Sequence, residues 1–229
     1  MQIHLDQELE VLRKELSIMR TLATEALIHA IQALETGQND LALQVIQSDR
    51  EIDLQENKID GMLLAIVGLK QPVAIDLRFL MAAMKINNDL ERVGDKAASI
   101  AKASIEMASR DRIRPLIETI IAMGEHSSMM IRDAFDCFLG KNADHALEVI
   151  GMDRTLNTMN HDFYRTLLEC LRSSTTDPGT ALALYRTAAA IERIGDLAKN
   201  ISEEAIYYIR GEIIRHGTGN PDVGAHRKS

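Results

Sequence analysis

Apolar residues recur along the first part of the chain at alternating steps of three and four, which is the spacing of one face of an α-helix. The series is Leu5, Leu9, Leu12, Leu16, Met19, Ala23, Ala26, Ala30 and Leu34. A stripe of this length predicts a helix of about 30 residues, roughly 45 Å long, packed nearly parallel or antiparallel to its neighbours. Gly37 and Asn39 interrupt the pattern, and Asp40 is a suitable N-cap for the next helix.

Five further helices are predicted from the same periodicity and from the residues that interrupt it. The second ends near Leu69, the third runs from Ile75 to Ala108, the fourth from Pro115 to Gly140, the fifth from Ala143 to Leu171, and the sixth begins with the cap Asp177 and Pro178. Residues from 216 onward are mainly Gly, Pro, His and basic residues. We expect them to form a flexible tail.

Two segments of the chain occur twice in the same order. Residues 90–97, LERVGDKA, reappear as IERIGDLA at residues 191–198, and the pattern of residues 42–50 reappears at residues 146–154. The nearly equal offsets indicate a tandem duplication of a three-helix unit. We therefore predict an all-α protein of two three-helix bundles packed lengthwise. The first repeat is residues 1–112, the second is residues 113–215, and the tail is residues 216–229.

Composition supports long helices and limits the partners. Aromatic residues make up 3% of the chain, Trp is absent, and there are 13 Gly and 4 Pro, which disfavours an all-β fold. The formal net charge of -8 would repel nucleic acid. The longest uncharged apolar run, Gly61–Leu69, is too short to span a bilayer, so we expect a cytoplasmic protein without a transmembrane segment. Cys137 and Cys170 are expected to be reduced core thiols.

Carboxylates occupy apolar positions on the second helix. Its seam, the row of positions at three- and four-residue steps, is Ala42, Val45, Asp49, Ile52, Glu56, Ile59, Leu63 and Ile66. Asp53 lies one turn beyond Asp49, so it shares a face with Asp49 and Glu56. In the fifth helix Asp153 keeps its place on the seam, but Asn157 stands where the first repeat has Asp53.

The third and sixth helices carry matching pairs of acids. Glu91 and Asp95 are one turn apart, as are Glu192 and Asp196. A turn centred near residues 70 and 71 would set Asp49 level with Glu91 and Arg92, and Asp53 level with Asn88. A turn near residue 175 would likewise set Asp153 level with Asp196 and Asn157 level with Arg193. We therefore predict two acidic clusters, one in each repeat.

Carboxylates held this close repel one another unless a positive charge neutralises them. Hard cations such as Mg, Mn, Ca or iron suit an all-oxygen ligand set. The alternative is ordinary ion pairing with the neighbouring basic residues, Arg50, Arg92, Lys96, Arg154, Arg193 and Lys199. Gly94 and Gly195, inside predicted helices, indicate either close backbone approach or a helix crossing between small residues.

These segments resemble the PhoU family of bacterial phosphate-signalling regulators. The resemblance rests on the repeated Glu91–Asp95 and Glu192–Asp196 segments, the Gln71-Pro72 turn followed by Asp76–Arg78, and the segment around Asp49. It covers the chain from the first helix to about Gly211. It implies a fold of two three-helix bundles.

The resemblance also implies metal binding, including multinuclear iron clusters, through motifs of an acid, three residues and a second acid. Mg or Mn are alternatives to iron. The motifs map onto Asp49 with Asp53 and Glu91 with Asp95 in the first repeat, and onto Asp153 with Asn157 and Glu192 with Asp196 in the second. Asn157 departs from the motif, so we expect the second site to carry fewer charges and to hold less metal, or to hold it more weakly, than the first.

The function that the resemblance implies is negative regulation of phosphate uptake and of the phosphate-starvation response. Members link the ATPase subunit of the phosphate ABC transporter to the sensor histidine kinase, without catalysis, and we expect a homodimer. A ferritin-type oxidase is disfavoured, because none of the seven His lies three residues after a Glu. The competing hypothesis is a metal-free helical adaptor whose acids only form ion pairs.

Overall fold

The computed structural model describes residues 2–107 and 113–214. These residues form six α-helices: α1 (Gln2–Thr36), α2 (Asn39–Lys70), α3 (Ala74–Glu106), α4 (Arg114–Gly140), α5 (Ala143–Arg172) and α6 (Pro178–Arg210). The all-α prediction is therefore confirmed. The predicted end of the third helix at Ala108, the boundary at residues 112 and 113, and the tail at 216–229 lie wholly or partly outside the described residues.

Side-chain caps begin α5 and α6, whereas α2, α3 and α4 start without one. The Asp177 carboxylate accepts a hydrogen bond from the Thr180 backbone N–H at 2.9 Å, just before Pro178 opens α6. The Asn142 side chain caps α5 in the same way. The predicted cap Asp40 is wrong, because Gln38 holds the N-cap position of α2. Asp40 lies in the first turn instead, where its charge favours the positive end of the helix dipole.

The helices form two bundles that lie side by side. α1, α2 and α3 pack together, α4, α5 and α6 pack together, and the bundles meet along α3 with α6 and α1 with α4. Lys85 pairs with Glu204 at 3.1 Å and Arg186 with Glu106 at 2.8 Å, so α3 and α6 run antiparallel. This arrangement confirms the predicted lengthwise packing of a duplicated three-helix unit. No helix in residues 2–107 or 113–214 is both long and apolar enough to cross a membrane.

The seam of α2 is buried at every apolar position. The buried residues of this helix are Ala42, Val45, Ile52, Ile59, Leu63 and Ile66. Asp49 and Glu56, which complete the seam, are only half-buried. The acids therefore sit at the edge of the apolar core, where water is partly excluded and charge repulsion is weakly screened.

Gly94 and Gly195 each leave a space on the helix surface that a side chain of the neighbouring helix fills. A Cβ at Gly94 would lie 2.6 Å from Cδ1 of Ile52, and one at Gly195 would overlap Cδ2 of Leu156. Ile52 and Leu156 each stand three residues after a seam acid, Asp49 and Asp153 respectively. Seating these side chains fixes the height of the acids on α2 and α5 against those on α3 and α6. The glycines thus mark close helix approach in both repeats.

Candidate functional site

Five carboxylates from two helices form the first acidic cluster. Asp49, Asp53 and Glu56 come from α2, and Glu91 and Asp95 come from α3. Partial burial, and after it the charge of Asp95, raise the pKa of Glu91 to about 7. The other three carboxylates raise it further, in the order Glu56, Asp53, Asp49. The structure therefore brings together all four residues predicted for the first repeat and adds Glu56.

The positions of the α2 acids along the helix axis, relative to the α3 acids, differ from the sequence prediction by about one helical turn. The turn comprises residues 71–73, with Gln71 in the left-handed conformation, so it is centred later than residues 70 and 71. Ile52 consequently faces Gly94, which sets Asp49 beyond Glu91 and beside Asp95, and Asp53 beyond Asn88. The same shift brings Glu56 to the height of Asn88 and Glu91.

The pKa values of Asp49 and Glu56 in the first cluster are raised for the same reasons. Partial burial, followed by repulsion from Asp95 and Asp53, raises the pKa of Asp49, and the charge of Lys102 only partly opposes this. Partial burial and the charge of Asp60 raise the pKa of Glu56 against a hydrogen bond from Asn88. Each of these carboxylates would bind a proton or a metal cation more favourably than an isolated one.

Basic side chains do not neutralise the first cluster. Among the described residues, no Lys, Arg or His nitrogen lies within 4 Å of any of its five carboxylates. Arg92, which follows Glu91 directly, reaches Asp89 instead at 3.5 Å. The alternative of ordinary ion pairing therefore does not describe the first repeat.

The second acidic cluster contains fewer carboxylates and has its own cations. Asp153 and Asn157 come from α5, and Glu192 and Asp196 come from α6. The Asn157 amide donates to Oδ2 of Asp153 at 3.0 Å, and Arg193 pairs with Asp196 at 3.2 Å. Partial burial and then the charge of Asp196 raise the pKa of Glu192, and Arg193 opposes this.

Asp153 is the most enclosed acid of the second cluster. Its side chain is 11% exposed, Lys199 approaches Oδ2 at 3.9 Å, and Oδ1 is buried without a hydrogen-bond partner. Oδ1 lies 3.9 Å from the point that a Cβ of Gly195 would occupy, so it faces the backbone of α6. The register predicted for this repeat is close to the observed one, since Leu156 and Gly195 meet where the turn near residue 175 sets them.

The two clusters fit a metal ion unequally. The first offers only carboxylate oxygens and holds no cation within 4 Å, which suits a hard cation. The second offers three carboxylates, one amide and two nearby cations, a donor set that suits such an ion poorly. In the described parts of the chain, no three His, Cys, Asp or Glu side chains converge closely enough to hold a metal in their present rotamers.

The metal ligands predicted from the sequence omit three residues of the first site, although the sequence already sets Glu56 on the same face as Asp49 and Asp53. Glu56 belongs to the cluster, and Asp60 accepts a hydrogen bond from the fully buried Asn87 at 3.0 Å one turn away. The Asn87 amide also reaches the Glu56 carbonyl at 3.2 Å, so it ties α2 to α3 beside the cluster. The signal was present, because Glu56 and Asp60 continue the row of Asp49 and Asp53 at three- and four-residue steps.

A cleft of about 1070 Å³ runs between the repeats beside both clusters. Glu56, Asn88 and Arg92 line it from the first repeat, and Asp196 and Lys199 line it from the second. Both clusters therefore border one polar surface.

Comparison with known proteins gives matches along most of the chain. A family model described as the PhoU domain matches residues 16–104 and again residues 120–205. The phosphate-specific transport system accessory protein PhoU of Serratia marcescens is 33% identical over 214 residues, which are 93% of this chain and 87% of the relative. The protein of the same description from Escherichia coli K12 is also 33% identical, over 93% of this chain and 88% of its own.

Solved structures agree with these matches. The crystal structure of PhoU from Pseudomonas aeruginosa superposes with a TM-score of 0.84 at 32% identity, covering 90% of this chain and 99% of that one. The phosphate transport system regulatory protein PhoU from Streptococcus pneumoniae superposes with a TM-score of 0.85 at 24% identity, over 91% of this chain and 98% of its own. The second comparison supports the fold alone.

Proposed function

Since this chain belongs to the PhoU family, we propose that it is a negative regulator of phosphate uptake and of the phosphate-starvation response. In this proposal it acts in the cytoplasm, without catalysis, as a metal-binding adaptor between the ATPase subunit of the phosphate ABC transporter and the sensor histidine kinase. The observation that carries the proposal is the doubled PhoU-domain match, together with 33% identity to accessory proteins of phosphate transport systems.

The shape of the molecule supports an adaptor role. Two bundles of helices of 27 to 35 residues offer long surfaces on which helices of other proteins can dock. The cleft between the repeats adds a concave polar surface. A homodimer is part of the proposal and can be tested by light scattering of the purified protein.

A deletion strain tests the regulatory role. We expect it to express phosphate-starvation genes in medium rich in phosphate, because the link that keeps the kinase repressive is gone. The measurement is a starvation-promoter reporter, with the wild-type chain restored from a plasmid as control. Normal repression in the deletion strain would refute the proposal. Co-purification of the ATPase subunit and the kinase from the complemented strain, with and without chelator, tests the adaptor role.

The first acidic cluster is the proposed place for the metal. Asp49, Asp53, Glu91 and Asp95 would hold it, with Glu56 beside them. A bound cation would supply the positive charge that these carboxylates lack, and would join α2 to α3. Iron is one candidate, and Mg or Mn are alternatives.

Elemental analysis tests this assignment. We expect the purified wild-type protein to carry metal, or to take it up, and the double variant Glu91→Ala, Asp95→Ala to lose it, since two of the four motif carboxylates are removed. Far-ultraviolet circular dichroism should show the same helix content in both proteins. Equal metal content in wild type and variant would remove the site from these residues.

A further inference from the structure

We infer that the second acidic cluster is neutralised by the chain's own cations and takes up no metal, so that metal uptake belongs to the first repeat. The inference rests on the metal role proposed above and extends an asymmetry that Asn157 already indicates in the sequence. Three differences between the repeats carry it. All three act in the same direction.

The first difference is the amide at Asn157. It stands where the first repeat has Asp53, so it removes one negative charge. It also donates to Oδ2 of Asp153 at 3.0 Å and thereby occupies an oxygen that a metal would need. Oδ1 of the same carboxylate is buried without a hydrogen-bond partner and lies against the α6 backbone at Gly195.

The second difference is the acid with which the arginine of each motif pairs. Arg92 and Arg193 occupy equivalent positions, each directly after the first acid of its α3 or α6 motif. In the first repeat Arg92 turns to Asp89, three residues before it, at 3.5 Å. The second repeat has Ala190 at the place of Asp89, so Arg193 turns the other way and pairs with Asp196 at 3.2 Å.

The third difference adds a cation. Lys199 stands where the first repeat has Ala98, and its Nζ lies 3.9 Å from Oδ2 of Asp153. The second cluster thus combines three carboxylates with two cations, for a formal charge of -1. The first cluster has five carboxylates and no cation within 4 Å. A divalent ion is attracted far more strongly to the first cluster, and in the second it would have to displace the Arg193 guanidinium and the Lys199 ammonium.

Manganese binding to the full-length protein tests the inference. We expect the variant Glu192→Gln, Asp196→Asn to bind as much Mn²⁺ per chain as wild type, measured by elemental analysis and by electron paramagnetic resonance titration. The matched variant Glu91→Gln, Asp95→Asn should fall to background. A loss of about half the metal in the second-cluster variant would overturn the inference and leave the proposed metal role intact. A wild-type chain that binds no Mn²⁺ would refute the metal role itself.

A variant that makes the second cluster resemble the first provides an independent test of the inference. The triple variant Asn157→Asp, Arg193→Ala, Lys199→Ala restores the missing charge and removes both cations. We expect it to bind about twofold more Mn²⁺ than wild type, with unchanged circular dichroism. No gain by this folded variant would show that these residues are not what excludes metal, and would overturn the inference even if the first pair of variants behaves as expected.

Discussion

At the scale of single residues, the packing at Gly94 and Gly195 determines which acids of neighbouring helices lie at the same height. Gly94 and Gly195 cost their helices about 1 kcal/mol each relative to Ala, because Gly loses more freedom on folding. In return Ile52 and Leu156 seat against the α3 and α6 backbones. Because each of these side chains follows a seam acid by three residues, the spaces at the glycines determine which carboxylates meet. The sequence alone left open close backbone approach or a crossing between small residues, and the structure identifies the two large side chains that pack against the glycines.

Gly195→Ala should therefore destabilise the protein although Ala is the better helix former. The new Cβ would overlap Cδ2 of Leu156, which is fully buried. We expect a loss of about 1–3 kcal/mol in the free energy of unfolding, measured by urea denaturation. Gly151→Ala is the control, because Gly151 also lies in a helix but a Cβ there would meet nothing within 4 Å. Equal stabilisation by both substitutions would contradict the role given to Gly195.

At the scale of helices, the periodic pattern predicted which face of each helix is buried, but the turn residues did not predict how far along one another neighbouring helices lie. All six apolar seam positions of α2 are buried, because a stripe at three- and four-residue steps has one way to face a core. The height of α2 against α3 was less predictable. It depends on Gln71 and Ala74 both adopting positive φ, at 48° and 50°, and neither residue signals that conformation in the sequence.

The partners of the arginines lay beyond sequence reasoning for a similar reason. Arg92 has acids at Asp89 and Asp95, both three residues away on the same helix, and spacing alone does not choose between them. The choice decides whether the first cluster contains a cation. The location of both clusters could thus be predicted from the sequence, and their difference in charge only in part, through Asn157.

The clustered carboxylates of the α2–α3 hairpin predict that the stability of the metal-free protein depends on pH. The pKa of Glu91 is about 7 in the folded state and lower in the unfolded state, so the folded state binds more protons between these two values. Stability should therefore fall as pH rises through this window. In chelator, Glu91→Gln should remove much of that fall and raise the free energy of unfolding at pH 8 by about 1 kcal/mol after solvent screening. Parallel pH profiles for wild type and variant would contradict this.

At the scale of the whole molecule, the two repeats share one core. α3 has 16 buried residues and α6 has 18, against six for α2, because α3 and α6 also pack on each other. Phe138 of α4 stacks on Phe79 of α3 with ring centroids 5.3 Å apart, and Tyr208 of α6 lies 5.5 Å from it. An isolated repeat would expose this surface, so each repeat is expected to stabilise the other across it.

Phe138→Ala tests this coupling. Removing a fully buried ring should cost about 3–5 kcal/mol and lower hydrogen-exchange protection in both repeats, because the ring contacts α3 as well as its own bundle. Phe163→Ala is the matched comparison, since Phe163 is equally buried but its aromatic contact, Tyr164, lies in the same helix. That variant should lose protection mainly in α4–α6. If Phe138→Ala left the protection of α1–α3 unchanged, the repeats would be independent domains, and a metal ion at the first cluster could not influence a partner bound to the second repeat through the shared core.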